Sequence, residues 1–422
     1  MLISRRGLAR CAGGLGLAAG MLRAPARARS QSAARVVVIG GGAGGATCAR
    51  YLAKADLAVT LIEVQARYTT CFYSNLYLAG WRDLASLTHG YDRLVAAGIE
   101  LVPERAVAVD TAARRVRVAS GGYLAYDRLV VAPGIDLRFD AIEGYDEAAA
   151  EIMPHAWKAG PQTALLRARL EAMPDGGLFV IAAPPEPYRC PPAPYERASL
   201  VASYFKQTKP RAKILILDAK DSFSKQALFE EAWQRHYPGM IEWIPGALGG
   251  KVVAVDPAAM AIKTAAGDTH KADVANIVPP QQAGAIAREA DLVDAGGWCP
   301  IVPAGMASRR QPGVHVLGDA AIASAMPKSA FAANSQAKVV AMTIHAELTG
   351  AKPFPGRYRN TCWSSLAPDD TVKIGANYMP GDEKLESADG FVSKVGESAE
   401  LRRQTRAEAD AWYAGITGDI FG

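Results

Sequence analysis

The chain has 422 residues, half of them hydrophobic, with 47 Lys and Arg against 42 Asp and Glu. Such a length can bury a sizeable core, in two or three domains. With the N-terminus set aside, no apolar run is long enough to span a bilayer and the basic excess disappears, which argues against an integral membrane segment and against nucleic acid as a partner.

Ser4-Arg5-Arg6-Gly7-Leu8 has the pattern of a twin-arginine export signal. An apolar Gly/Ala-rich segment, 11–22, follows, and Ala26-Arg27-Ala28 supplies an A-x-A cleavage site. A basic tail would account for the arginines but not for the apolar segment. Removing 1–28 takes Arg5, Arg6, Arg10, Arg23 and Arg27 and no acid, so the mature chain is formally neutral. The expectation is export in the folded state to the periplasm, the route a protein with a large cofactor needs. Cleavage also removes Cys11. Cys48, Cys71, Cys190, Cys299 and Cys362 remain for an oxidising compartment, and their odd number leaves at least one outside any disulfide. No C-x-x-C-H occurs, so no haem of the c type is expected on this chain.

Residues 36–39 are an apolar, β-branched run of strand length. Gly40, Gly42 and Gly45 follow as G-x-G-x-x-G, then a helical segment with Ala49 placed for close packing, then a second strand ending at Glu63. Glycines there permit a tight turn and let backbone N–H groups approach a pyrophosphate. The helix N-terminus adds its positive end, and an acid about 20 residues on can accept ribose hydroxyls. A glycine-rich turn alone is common; strand, helix and acid together identify a dinucleotide site.

Arg67 to Asn75 form a polar, aromatic loop containing Cys71 and leading into a short helix. Residues 99–103, 106–110, 115–119 and 126–131 alternate as a small antiparallel sheet, the last strand closing on Ala132-Pro133-Gly134, which resembles the second signature of flavoproteins with two dinucleotide-binding domains. From about Pro161 the pattern repeats, with a helix over 163–173 and strands at 178–183 and 213–218. Where a second glycine turn should stand, the chain reads Ala183-Pro184-Pro185-Glu186-Pro187-Tyr188-Arg189-Cys190-Pro191-Pro192-Ala193-Pro194-Tyr195-Glu196. Prolines lack N–H donors, so this loop cannot cradle a pyrophosphate. The framework is kept and the nicotinamide site is expected to be lost.

The chain is expected to return to the first domain near residue 270. There, 314–317 followed by Gly318-Asp319 resembles the third flavoprotein signature, whose aspartate holds a ribityl hydroxyl. A long helix over 328–347, starting at Lys328, has its N-terminus available to the flavin pyrimidine. The residues from Phe354 are expected to form a separate unit, ending in a charged helix, 401–412, and an apolar tail, 416–421. The fold class is therefore α/β: two Rossmann-like domains as in glutathione-reductase-like flavoproteins, plus a C-terminal α+β interface domain. The boundaries are 35–150 with 270–350 for FAD, 151–269 for the second domain and 351–422 for the third.

Thr70-Cys71, Tyr188-Arg189-Cys190-Pro191-Pro192, Trp298-Cys299-Pro300 and Thr361-Cys362, behind these signatures, resemble the flavoprotein subunit of flavocytochrome c sulfide dehydrogenase, in the disulfide reductase superfamily. The resemblance spans essentially the whole mature chain. It implies FAD attached through an 8α-cysteinyl thioether at Cys71, a redox disulfide between Cys190 and Cys362 beside the flavin, and Glu196 as an acid/base. It also implies sulfide as substrate and a c-type cytochrome subunit as partner in a heterodimer. One departure from the general disulfide reductases stands out: a single cysteine, Cys71, replaces their C-x-x-x-x-C. Hydrosulfide attacking such a disulfide leaves a persulfide on one cysteine and a thiolate on the other.

The plainer readings are a structural staple for Cys190 and Cys362, a solvated loop acid for Glu196, and core thiols for Cys48 and Cys299. His155, His236 and His315 show no metal spacing. Two other functions compete with a sulfide:cytochrome c oxidoreductase: a sulfide:quinone oxidoreductase, disfavoured by the charge density of 397–410, and a non-catalytic flavoprotein partner of other sulfur-oxidation proteins.

Overall fold

The computed structural model describes residues 34–422, so the expected export signal lies outside the described residues. The first sheet has seven strands. Starting from one edge, Glu100–Val102, Ala58–Ile62, Arg35–Ile39, Arg128–Val131 and Val314–Val316 run parallel in that order. Val36, Val38, Leu129, Val130 and Val131 are fully buried, as expected of strands covered on both faces, where apolar residues run on without alternation. Helix Ala43–Ala53 packs against helix Ala330–Thr349, whose N-cap Ser329 accepts from Ala332 N.

The second sheet repeats this plan. Ile241–Ile244, Lys213–Asp218, Leu178–Ala183 and Val274–Ile277 are parallel, in the same spatial order as the four first-sheet strands from Glu100–Val102 to Arg128–Val131. Helix Ala193–Thr208 connects its two inner strands.

Three expectations change. The small antiparallel sheet contains Ala106–Asp110, Arg115–Val118 and Tyr123–Ala125, whereas Glu100–Val102 and Arg128–Val131 join the parallel sheet. Local alternation marks strands; their partners are chosen by burial elsewhere. The return to the first sheet falls later than 270, because Val274–Ile277 still pairs with Leu178–Ala183. The long helix starts at Ala330, leaving Lys328 ahead of it.

The C-terminal part is an antiparallel sheet of Tyr358–Ala367, Asp370–Pro380 and Leu385–Val392, followed by one helix, Ala399–Phe421. The expected charged helix and apolar tail are thus a single element. Its far end is buried: Phe421 stacks on His89 at 4.9 Å between ring centres, and Arg50 donates to the carbonyls of Gly418 and Asp419. Its near end is tied by Arg402, almost wholly buried, which forms ion pairs with Glu231, Asp370 and Glu397. Residues 34–422 accordingly form one compact unit, and the C-terminal part is not separate from the rest.

Candidate active site

Gly40, Gly42, Glu63, Ala132, Gly134, Gly318, Asp319 and Cys71 all line one cleft of about 800 Å³. Gly40 has φ +96°, and a Cβ there would stand 2.3 Å from the Ala132 carbonyl oxygen. Gly45 lies beneath the turn, where a Cβ would come within 1.8 Å of the Gly40 carbonyl oxygen, so only glycine lets the helix approach the strand. The Glu63 carboxylate accepts from Gly41 N and Gln65 N, each at 2.7 Å, which orients it at the strand end with lone pairs to spare.

These residues fit FAD. The decisive atom is Asp319 Oδ1, which is buried without a hydrogen-bond partner on the cleft wall, where a ribityl hydroxyl would satisfy it. Burial raises the Asp319 carboxyl above the usual range, opposed by Arg189 and Lys328. Lys328 itself is not on the cleft wall. Its ammonium donates to the carbonyls of Asp319 and Ala321 and sits 3.9 Å from the centre of the Trp298 ring, so any influence on the cofactor is indirect. Burial lowers it to about 8.

Cys71, Cys190, Cys362 and Glu196 line a second, smaller cavity of about 80 Å³. Cys71 and Arg189 belong to both cavities, which makes the two neighbours through a shared wall. All five described cysteines are thiols, so the expected Cys190–Cys362 disulfide is not formed in this structure and the pair stands in its reduced state. Cys190 takes φ +59°, uncommon without a glycine, and its N–H donates to the Lys328 carbonyl at 2.8 Å. Burial, followed by its neighbours Cys362 and Glu196, raises its thiol. Cys362 lies within strand Tyr358–Ala367, and Asn360 Nδ2 donates to its sulfur at 3.4 Å.

Glu196 stands in the first turn of helix Ala193–Thr208, not in a loop. Pro192 and Pro194 begin that helix, because its first residues need no N–H donor. The Glu196 carboxylate accepts from Asn75 Nδ2 at 2.8 Å and from Ser365 N at 2.9 Å, bridging three segments of chain. Burial raises it above the usual carboxylate range, and those two hydrogen bonds oppose the rise.

The second Rossmann-like unit has filled its own nucleotide position. Asp218, at the strand end equivalent to Glu63, is fully buried and accepts from Tyr195 OH, Trp243 Nε1 and Lys220 Nζ. Tyr195 stacks on Phe223 with ring centres 3.6 Å apart. An acid so occupied has no face left for a ribose.

Cys48 and Cys299 are fully buried, and burial pushes the Cys299 thiol up to about 12. His155 accepts from Trp157 N, His236 meets Asp370, and His315 meets the Gly305 carbonyl. Among the described residues no three His, Cys, Asp or Glu side chains converge as a metal site. Three buried residues carry no signal in the sequence: Asn75 and Arg197, which line the small cavity, and Lys225, whose ammonium donates to the carbonyl of Cys362. None sits in a motif; only the fold brings them to Cys190.

Three family models match in succession. Residues 34–161 match a pyridine nucleotide-disulphide oxidoreductase model, 163–279 the central part of the sulfide dehydrogenase [flavocytochrome c] flavoprotein chain, and 355–421 the flavin-binding part of flavocytochrome c sulphide dehydrogenase. A flavoprotein chain of that enzyme from Chlorobaculum thiosulfatiphilum is 54% identical over 43 residues, covering 10% of this chain and 90% of that one. The chain belongs to the flavocytochrome c sulfide dehydrogenase flavoprotein family. Flavocytochrome c sulfide dehydrogenase flavoproteins are sulfide-oxidising oxidoreductases with FAD, and the wider relationship is visible in the mitochondrial sulfide:quinone oxidoreductase of Mus musculus, 24% identical over 347 residues, 76% of this chain and 72% of that one. The solved sulfide:quinone oxidoreductase of Aquifex aeolicus shares the fold, with a TM-score of 0.72 at 21% identity over 92% of each chain.

Proposed function

We propose that this flavoprotein is an exported, periplasmic sulfide:cytochrome c oxidoreductase, in which Cys190 and Cys362 form a redox disulfide and a c-type cytochrome subunit takes the electrons. The observation that carries the reading is the small cavity: three cysteines and a half-buried carboxyl share it, and one of those cysteines also walls the flavin cleft. Its volume suits hydrosulfide and a few waters.

The glycine turn, Glu63 and Asp319 would hold FAD and Cys71 would tether it, and the bound flavin would supply an acceptor for an electron pair. The protein's residues do the sulfur chemistry. HS⁻ bonds to one sulfur of the disulfide as the S–S bond breaks, giving a persulfide, Cys–S–SH, and a thiolate on the other cysteine, with one negative charge before and after. Glu196, raised by burial, takes the persulfide proton and returns it when product leaves. Tyr195, Phe223 and Asp218 occupy the place of a nicotinamide nucleotide, in keeping with electrons arriving from sulfur.

Steady-state assay tests the reading. Sulfide should drive reduction of cytochrome c and not of a quinone analogue, and Cys362→Ala should abolish reduction of bound flavin by sulfide. Turnover with quinone alone would make the protein a quinone reductase; turnover with neither would make it a non-catalytic partner. The quinone reading draws on the sulfide:quinone relatives. Against it, the apolar end of helix Ala399–Phe421 is consumed in packing, and no described helix is long and apolar enough to cross a membrane. Acid-precipitated protein should keep its yellow colour on the Cys71 peptide, and Cys71→Ser should lose it. A variant with both Arg5 and Arg6 changed to Lys should stay in the cytoplasm; its normal export would overturn the twin-arginine route.

A further inference from the structure

Lys225 is a buried lysine that neither the sequence signatures nor the relay above uses. It is 8% exposed and holds the N-cap of helix Gln226–His236 in the left-handed conformation, φ +64°, ψ +26°. A side chain with a Cβ is uncommon there, and such outliers persist where the surroundings over-determine them. Its ammonium donates to Ser364 Oγ at 2.8 Å and to the Cys362 carbonyl at 3.3 Å, which leaves one N–H uncommitted. It forms no ion pair with a carboxylate among the described residues.

A buried ammonium without a counter-ion is costly. Three groups able to carry a negative charge are within electrostatic reach of Lys225: Cys362, Glu196 and Cys190. Cys362 lines the same small cavity as Cys190, its carbonyl accepts from Lys225, and Tyr378 is within electrostatic reach of it. Cys190 is further surrounded by Glu196, Cys71, Tyr188, Arg189 and Arg197, and Arg406 reaches Glu196. Lys225 is thus the basic residue that hydrogen-bonds to the main chain of Cys362 itself.

We propose that Lys225 is the positioning residue that compensates the thiolate left on Cys362 when HS⁻ bonds to Cys190. This rests on the disulfide relay above. The bond from Cys190 Sγ to the incoming SH forms, the Cys190–Cys362 bond breaks, and the negative charge that entered as HS⁻ comes to rest on Cys362 Sγ, in the residue whose carbonyl accepts from the ammonium. The electron pair stays among the three sulfurs in this step: the sulfide sulfur is oxidised as it bonds to Cys190, and Cys362 is reduced to the thiolate. Burial lowers Lys225 from the ordinary lysine range, and an anion on Cys362 opposes that lowering. The same contact to Ser364 fixes strand Tyr358–Ala367 against the second Rossmann-like unit.

The test reads thiolate reactivity in reduced, flavin-loaded protein by iodoacetamide alkylation, quantified on the Cys362 peptide as a function of pH. Lys225→Met should move the rise in alkylation up by about 1 to 3 pH units, a tenfold or greater slowing at fixed near-neutral pH. Lys225→Gly should do the same without backbone strain, since glycine accepts the left-handed conformation freely. Lys225→Arg should restore the wild-type profile, and Ser364→Ala, which keeps the charge, should leave it nearly unmoved. Flavin-loaded Met and Gly variants with a wild-type profile would overturn the proposal, as would failure of all three Lys225 variants to fold, which would assign the lysine to packing. The result is independent of the sulfide relay, whose own failure would appear as flavin reduction surviving Cys362→Ala.

Discussion

Two β-α-β units of this protein share a spatial plan and differ in one turn. In the first, Gly40 to Gly45 bring backbone N–H groups to a cleft and Glu63 stays at its edge, held by two amides. In the second, prolines start the helix, and the equivalent acid, Asp218, is enclosed by Tyr195, Trp243 and Lys220. Loss of a cofactor has therefore not left a vacant site. The side chains that replaced the nucleotide fill its place, and the rebuilt loop delivers Cys190 and Glu196 to the small cavity instead. A duplicated frame can exchange an open nucleotide cleft for a cysteine-lined cavity without changing its strands.

Substitutions in the two units should have opposite readouts. Gly45→Ala should have the largest effect, because the added carbon meets a backbone oxygen that cannot step aside; the purified protein should contain essentially no flavin, measured by its visible absorbance. Asp218→Ala should destabilise by about 3 to 5 kcal/mol, since it strands the buried Lys220 ammonium and two other donors, while flavin content stays at the wild-type level. A flavin-free Asp218 variant that still folds would break the comparison. Glu63→Ala should do the reverse: thermal stability nearly kept, but flavin affinity weaker by about tenfold or more, measured in a Cys71→Ser background where the cofactor can dissociate.

The smallest effect concerns Glu347, at the far end of the helix that packs on the first unit. It pairs with Arg128 at 2.6 Å and His315 at 3.5 Å, and those partners hold its carboxyl at about 2, below 4.5. A carboxyl depressed on folding contributes stability above its unfolded range and loses it as pH falls through the folded value. Glu347→Gln should lower stability near neutral pH by about 1 kcal/mol or less, given its partial exposure. The gap from wild type should close between pH 4.5 and pH 2, followed by thermal melting.

Features written in neighbouring residues were readable: the glycine turn, the strands 178–183 and 213–218, and the proline loop that ends the nucleotide analogy. Each depends on local geometry or on a missing donor. Glu196 was legible as a residue of interest but was placed in a loop, because its prolines read as breakers although two of them open a helix. Glu100–Val102 and Arg128–Val131 were assigned to the wrong sheet for a related reason: strand pattern is local, but the choice of partner is made by burial across the chain. Lys225 left no local signal. A lysine after Ser222-Phe223-Ser224 looks like a surface turn, and only strand Tyr358–Ala367, far downstream, turns it into a buried charge.

Thr70, beside the cysteine proposed to hold the flavin, hydrogen-bonds to Tyr413, 343 positions later, and Tyr68 on the same cleft stacks near Phe421. A contact of such span imposes a sequence of events on a chain that emerges N-terminal end first. The glycine turn is ready early, but the wall at Tyr68 has no backing until helix Ala399–Phe421 has followed. Cofactor capture is therefore a late step, made by a nearly complete chain, and mutations that loosen that helix should show up as empty protein before they show up as slow enzyme.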